Sequence, residues 1–163
     1  MKALNRKLIP VNTQAVLFDF DDTLVETIGP KWQEHKTVAK LEFPGLTITD
    51  KDLGRHWGEP YHQMLRHLYK TDAVEKVLRK IDIHRAKFKK GLFPNTLPLL
   101  ETLVATGITM GIVTSTTRSN LEEDLREMKI EKYFSYLQSI EDTDTHKPDP
   151  AVFAPTKEWL NSK

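Results

Sequence analysis

The stretch Ala15-Val16-Leu17-Phe18-Asp19-Phe20-Asp21-Asp22 constrains this chain more than any other. An apolar run this short, bounded by polar residues, has the length of a buried strand and falls well below that of a globular helix. Three aspartates in four positions close the run, and carboxylates that near repel one another. Folding alone gives no reason to crowd them, whereas a bound cation that offsets the repulsion does. The expectation is a strand buried in a sheet, Ala15–Phe20, carrying a polar cluster at its C-terminal end.

The pattern recurs downstream. Gly107–Thr116, "GITMGIVTST", is a second apolar run that ends in hydroxyl residues. It follows a helical stripe over Thr96–Thr106 (Leu97, Leu99, Leu100, Leu103, Val104) closed by Gly107. After it, Arg118–Lys129 reads as a polar helix with Leu121, Leu125 and Met128 on one face, and Tyr133–Ile140 as a third strand. Helices alternating with short buried strands predict an α/β fold with a parallel sheet, in which ligands gather at the C-terminal ends of the strands. Between Thr27 and Phe93 the character is helical and polar, with no convincing strand. Candidate helices there run Lys31–Leu41, Asp50–His56, Tyr61–Tyr69 and Asp72–Lys89, separated by Pro44, Gly45, Gly58 and Pro60. The expected organisation is a core of residues 1–26 and 94–163 with a helical insertion, a cap, over 27–93.

A chain of 163 residues supports one sizeable core, or a modest core with a small subdomain. A net charge of +1 argues against nucleic acid or a membrane surface as partner, and the absence of cysteine excludes disulfides and thiol catalysis. The N-terminal "MKALNRKLIP" lacks the apolar core of a signal peptide, and no run reaches the ~20 apolar residues of a membrane span. A soluble, cytoplasmic protein is expected.

If Phe18 and Phe20 pack into the sheet, Asp19 faces the opposite side at the strand end, Asp21 and Asp22 enter the next loop, and Thr23 can hydrogen-bond back to it. One carboxylate could attack phosphorus to form an aspartyl-phosphate. A second, two residues on, could protonate the leaving oxygen and then deprotonate water. Both need a hard cation, and Mg²⁺ suits such all-oxygen sites. The plainer alternative is an acidic turn with Asp22 as a helix cap. The Thr114 hydroxyl and the Ser115 backbone N–H could hold a phosphate oxygen, although strand-end hydroxyls also serve simply as turn formers. Lys147, in "HKPDP", precedes a helix start with Asp149 as cap and Pro150 at the first position. It could neutralise a phosphate and the attacking carboxylate, or be a plain surface lysine.

Taken in order, these features resemble the haloacid dehalogenase-like hydrolase superfamily. Its first motif, DxDx[TV], matches Asp19-Phe20-Asp21-Asp22-Thr23, "GIVTS" is similar to its second motif and "HKPDP" to its third. The resemblance implies a Rossmann-like, three-layer parallel-sheet core with an inserted helical cap. It implies Asp19 as nucleophile, Asp21 as general acid/base, phosphate contacts from Thr114, Ser115 and Lys147, and Mg²⁺ on Asp19 and on the backbone carbonyl of Asp21. An Asp at position 21 fits a phosphatase or phosphomutase rather than a dehalogenase or phosphonate-cleaving member. "TDKDLGRHWGEPYHQML" resembles the cap of phosphoglycolate-phosphatase-like members, in which Arg55 to Glu59 would face the active site with Arg55 as a substrate contact. The pattern departs from the family after the third motif, where the expected fourth strand and acidic pair do not follow. Asp142 and Asp144 precede Lys147, on the wrong side in chain order, and Asp22 is not a regular metal ligand. Pro155 falls inside an expected helix, which it should break or kink. The absent strand would lie beside the first one, so Ala15–Phe20 is expected to form a sheet edge open to self-association. The chain is accordingly expected to be a fragment of a longer protein, the alternatives being a strand from a second chain or a remodelled sheet.

The function expected is a Mg²⁺-dependent phosphatase of a small phosphorylated metabolite. The rivals are a catalytically impaired relative that binds a phosphoester and, more distantly, a receiver-like phosphoacceptor. His56, His62 and His67 suggest a metal site but lack carboxylates at ligand spacing, so they read as surface histidines. "HRAKFKK", His84–Lys90, reads as a solvated helix face, and Trp32, Trp57 and Trp159 as packing residues.

Overall fold

The computed structural model describes residues 12–162; the leaderless reading of the first ten residues lies outside them. In chain order the elements are β1 (Ala15–Phe18), β2 (Val25–Glu26), α1 (Ile28–Glu42), α2 (Asp50–His56), α3 (Tyr61–Tyr69), α4 (Val74–His84), β3 (Gly91–Leu92), α5 (Thr96–Ala105), β4 (Thr109–Val113), α6 (Arg118–Glu127), β5 (Tyr136–Gln138) and α7 (Ala154–Asn161). They divide into two compact units. One takes the chain up to Glu26 and from Gly91 onward; the other is Thr27–Lys90.

The first unit is α/β. Its sheet is parallel, ordered β1-β4-β5, with β4 in the middle and Leu17, Gly111 and Tyr136 side by side across it. Among the described residues β1 pairs on one side only, with β4. The lack of a side chain at Gly111 matters at this crossing: a Cβ there would lie 2.9 Å from Leu17 Cδ2 and 3.2 Å from Tyr136 Cβ. Helices α5 and α6 turn Leu100, Leu103, Leu121 and Leu125 into the core, which Phe20, Met110, Ile112 and Ile130 complete. α5 ends where Gly107 takes a φ of 74°, a left-handed conformation that costs glycine little. Tyr136 stacks on Trp159 of α7, ring centroids 4.6 Å apart.

Each expected strand is shorter in the structure than in the sequence reading. Asp19 and Phe20 leave β1 for a turn, and a 3₁₀ turn over Glu131–Tyr133 occupies the start of the expected third strand. Pro155 acts as a divider. Pro150–Phe153 forms a 3₁₀ turn whose Asp149 cap accepts from the Ala151 N–H at 2.8 Å, and α7 then restarts with Pro155 in its first turn, where no N–H is needed. A two-residue antiparallel ladder, Val25–Leu92 and Glu26–Gly91, was not expected. It draws Gly91–Leu92 into the α/β unit, so the second division falls at 90/91 rather than 93/94.

The helical unit packs α1–α4 around Val38, Leu53, Met64, Leu65, Leu68, Val77 and Ile81. Thr49 explains the start of α2. Its hydroxyl accepts from the Asp52 N–H at 3.2 Å while the Asp52 carboxylate accepts from the Thr49 N–H at 2.9 Å, a reciprocal capping box. α4 stops at His84, five residues before the expected end, and passes into a 3₁₀ turn over Arg85–Lys87. Trp32 and Trp57 meet edge to face at 6.2 Å within this unit. Among the described residues no helix is long and apolar enough to cross a membrane.

Candidate active site

β1 ends directly at the acids. The carbonyl of Phe20, a fully buried residue, accepts from the N–H groups of Leu24 (3.0 Å) and Val25 (3.3 Å), which folds residues 21–24 into a tight turn. Asp22 occupies the turn with a φ of 55°, a left-handed conformation aspartate tolerates better than most residues, and its N–H donates to Val25 O at 2.7 Å. It caps no helix, since Thr27 holds the N-terminal position of α1. The turn leaves Asp19 exposed and Asp21 half-buried.

Three other segments reach this point. Lys147 donates from Nζ to Asp19 Oδ1 at 2.6 Å and to the Val113 carbonyl at 2.7 Å. An ion pair with side chains 43% and 31% exposed adds at most about 1 kcal/mol to stability, so its significance is positional. Asp19 Oδ2 accepts a long hydrogen bond from the Thr23 hydroxyl at 3.5 Å. At the end of β4, Thr114 is buried, its N–H donating to Gln138 O at 2.9 Å and its hydroxyl accepting from the Thr116 N–H at 3.1 Å. That hydroxyl keeps its own proton to donate. Ser115 follows, exposed. The Thr116 hydroxyl donates to Asp21 Oδ2 at 2.5 Å.

Thr116 was missed in the sequence because it stands in a run of four hydroxyl residues, 114–117, that nothing local ranks. The loop is held from the far side as well. Ile140 N–H donates to Thr116 O at 3.1 Å, and Arg118 grips Asp142 through its guanidinium and Glu141 through its backbone N–H. Partial burial would raise the Asp142 pKa, but hydrogen bonds from Ser139 and the Arg118 charge hold it below the usual range. Asp142 is thus a brace rather than a freely solvated acid. Arg55 is exposed on α2 in the helical unit.

The structure therefore brings Asp19, Asp21, Thr114, Ser115 and Lys147 to the C-terminal ends of β1 and β4, from segments up to 128 residues apart. Asp19 and Asp21 offer carboxylate and carbonyl oxygens, the donors hard cations take. The sequence profile of the haloacid dehalogenase-like hydrolase family matches residues 16–163. A candidate pyrophosphatase PpaX of Clostridium perfringens is 30% identical over 139 residues, covering 83% of this chain and 64% of that protein. A phosphorylated carbohydrates phosphatase of Thermotoga maritima is 27% identical over 155 residues, covering 91% of this chain and 71% of the other. The crystal structure of a candidate beta-phosphoglucomutase from Thermotoga maritima superposes with a TM-score of 0.77 at 25% identity, over 91% of this chain and 71% of that one. The chain thus spans about two thirds of the length of these relatives.

Proposed function

The chain belongs to the haloacid dehalogenase-like hydrolase family, and on that premise we propose that it is a Mg²⁺-dependent phosphatase of small phosphorylated metabolites working through an aspartyl-phosphate. The observation that carries this reading is the Lys147 ammonium, which holds Asp19 Oδ1 and the Val113 carbonyl at once. It fixes the Asp19 rotamer and leaves Oδ2 as the attacking oxygen.

In the first step Asp19 Oδ2 bonds to phosphorus, the bond from phosphorus to the leaving oxygen breaks, and Asp21 gives that oxygen its proton. Because Thr116 donates to Asp21 Oδ2, the transferable proton sits on Oδ1. In the second step a water attacks phosphorus, yields a proton to Asp21, and releases phosphate and free Asp19. Thr114, Ser115 and Lys147 are proposed to bind the phosphate oxygens, and Arg55 to contact the substrate. Mg²⁺ held by Asp19 and the Asp21 carbonyl would neutralise charge between carboxylate and phosphate. The names of the relatives, a pyrophosphatase and a phosphatase of phosphorylated carbohydrates, support anhydride and sugar phosphates as the first substrates to try.

The test is Mg²⁺-dependent phosphate release from such a panel. Asp19→Asn should abolish it, by about 10³-fold or more, and Asp21→Asn should lower it about 10²–10⁴-fold. Release that persists in folded Asp19→Asn would overturn the mechanism. A second reading, a phosphoester-binding relative, draws on one observation. Among the described residues, no group of three His, Asp or Glu donors gathers at the aspartates. Saturable binding of a phosphoester without turnover would favour it.

A further inference from the structure

We propose that His56, Glu59 and His67 form a binding site for a divalent transition-metal ion, Zn²⁺ being the probe, which staples α2 to α3 within the helical unit. His56 is the last residue of α2, Glu59 lies in the connection, and His67 sits in the last turn of α3. Glu59 Oε1 is 2.9 Å from His56 Nδ1 and Glu59 Oε2 is 2.8 Å from His67 Nδ1. The two imidazole centroids are 4.6 Å apart, and one donor atom from each of the three residues falls within 4.8 Å of the others. Among the described residues this is the one group of three such side chains so close together.

The convergence depends on the connection. Gly58 takes a φ of 95°, open to glycine and strained for other residues, and the Glu59 N–H donates to His56 O at 3.2 Å. Together they turn the chain back so that a carboxylate which sequence spacing leaves unassigned sits between the two rings. Pro60 then starts α3.

The donor set selects the ion. Two imidazoles and a carboxylate suit Zn²⁺ and its first-row neighbours, whereas Mg²⁺ prefers oxygen alone. Bonds of about 2.0–2.2 Å to Zn²⁺ set tetrahedral donors about 3.3 Å apart. The two nitrogen–oxygen contacts therefore need to open by a few tenths of an ångström and donors that now lie up to 4.8 Å apart need to close, changes that rotations of the three side chains supply. On binding, each Nδ1 uses its lone pair and the ring proton resides on Nε2, so metal replaces the two histidine–glutamate hydrogen bonds. Side-chain exposures of 21%, 27% and 43% leave the outer side open to a water as fourth ligand. The neighbouring His62 lies outside the group.

The experiment is calorimetric titration of the metal-free chain with ZnCl₂ in excess Mg²⁺, followed by replacement with Co²⁺, whose visible absorption reports nitrogen ligation. One Zn²⁺ per chain with a Kd of about 1 µM or tighter is expected. Glu59→Gln and His67→Ala should each weaken it about tenfold or more, while His62→Ala and Asp19→Asn leave it unchanged. Zn²⁺ should raise the melting temperature of the unsubstituted chain and of neither ligand variant. No saturable binding, binding retained in both ligand variants, or binding lost in Asp19→Asn would each overturn the site. Should His67→Ala fail to fold, the nearly isosteric Glu59→Gln decides. None of these readouts depends on phosphatase activity.

Discussion

In the α/β unit the buried Gln138 satisfies both ends of its amide, donating to Val152 O at 2.6 Å and accepting from the Thr156 and Tyr136 hydroxyls at 2.6 and 2.9 Å. In the helical unit, Trp32, Glu34, His35 and His84 each retain a buried side-chain atom with no hydrogen-bond partner, and among the described residues all such atoms lie there. His35 shows the consequence. Its Nδ1 meets the Tyr69 hydroxyl at 3.1 Å, its Nε2 meets nothing, and burial, helped by the Lys31 charge, lowers its pKa from 6.5 to about 4. The α/β unit spends its polar groups on placing atoms at the strand ends. The helical unit encloses polar groups that weaken it under acid.

The sharpest way to break this contrast is at Lys147. Lys147→Met should lower kcat/KM for the best phosphoester about 10²–10³-fold while leaving the urea midpoint nearly unmoved. A large loss of stability with little loss of rate would make the ammonium a structural tie instead. Next in size is the acid response of His35. The unfolded chain takes up this proton near pH 6.5 and the folded chain only near pH 4, so stability is lost as pH falls between them, approaching about 3 kcal/mol. Glu42, held low first by its hydrogen bond from Lys80, weakens folding only below its ordinary value of 4.5, a separate window. Urea unfolding between pH 7 and 4.5 should show the slope, and His35→Leu should flatten it. The smallest effect belongs to the sheet. Gly111→Ala pushes a methyl into Leu17 and Tyr136 and should cost about 1–3 kcal/mol by thermal melting, with no dependence on pH.

What the sequence made legible follows a physical line. The bounds of α2 and α3 coincide with the reading because Thr49, Gly58 and Pro60 are local signals whose effect does not wait on tertiary structure. The Asp19, Thr114 and Lys147 cluster was legible because each residue follows a strand or precedes a helix start, and strand ends converge. The ladder of β2 and β3 was not, since two residues carry no periodicity. Nor was the partnership of Glu59 with two histidines, which rests on the backbone sign at Gly58 rather than on any spacing.

The paired contacts of Lys147 also make the site a gauge of strand alignment. Phe18 pairs with Ile112, and the next residues along the two strands are Asp19 and Val113, the two that the ammonium touches. A slip of β1 against β4 by one position would carry Asp19 about 3.3 Å away and turn it to the opposite face. Turnover would then report on whether these two strands are in step, falling silent for a molecule whose helices and core remain intact but whose sheet has been zipped one notch out of place.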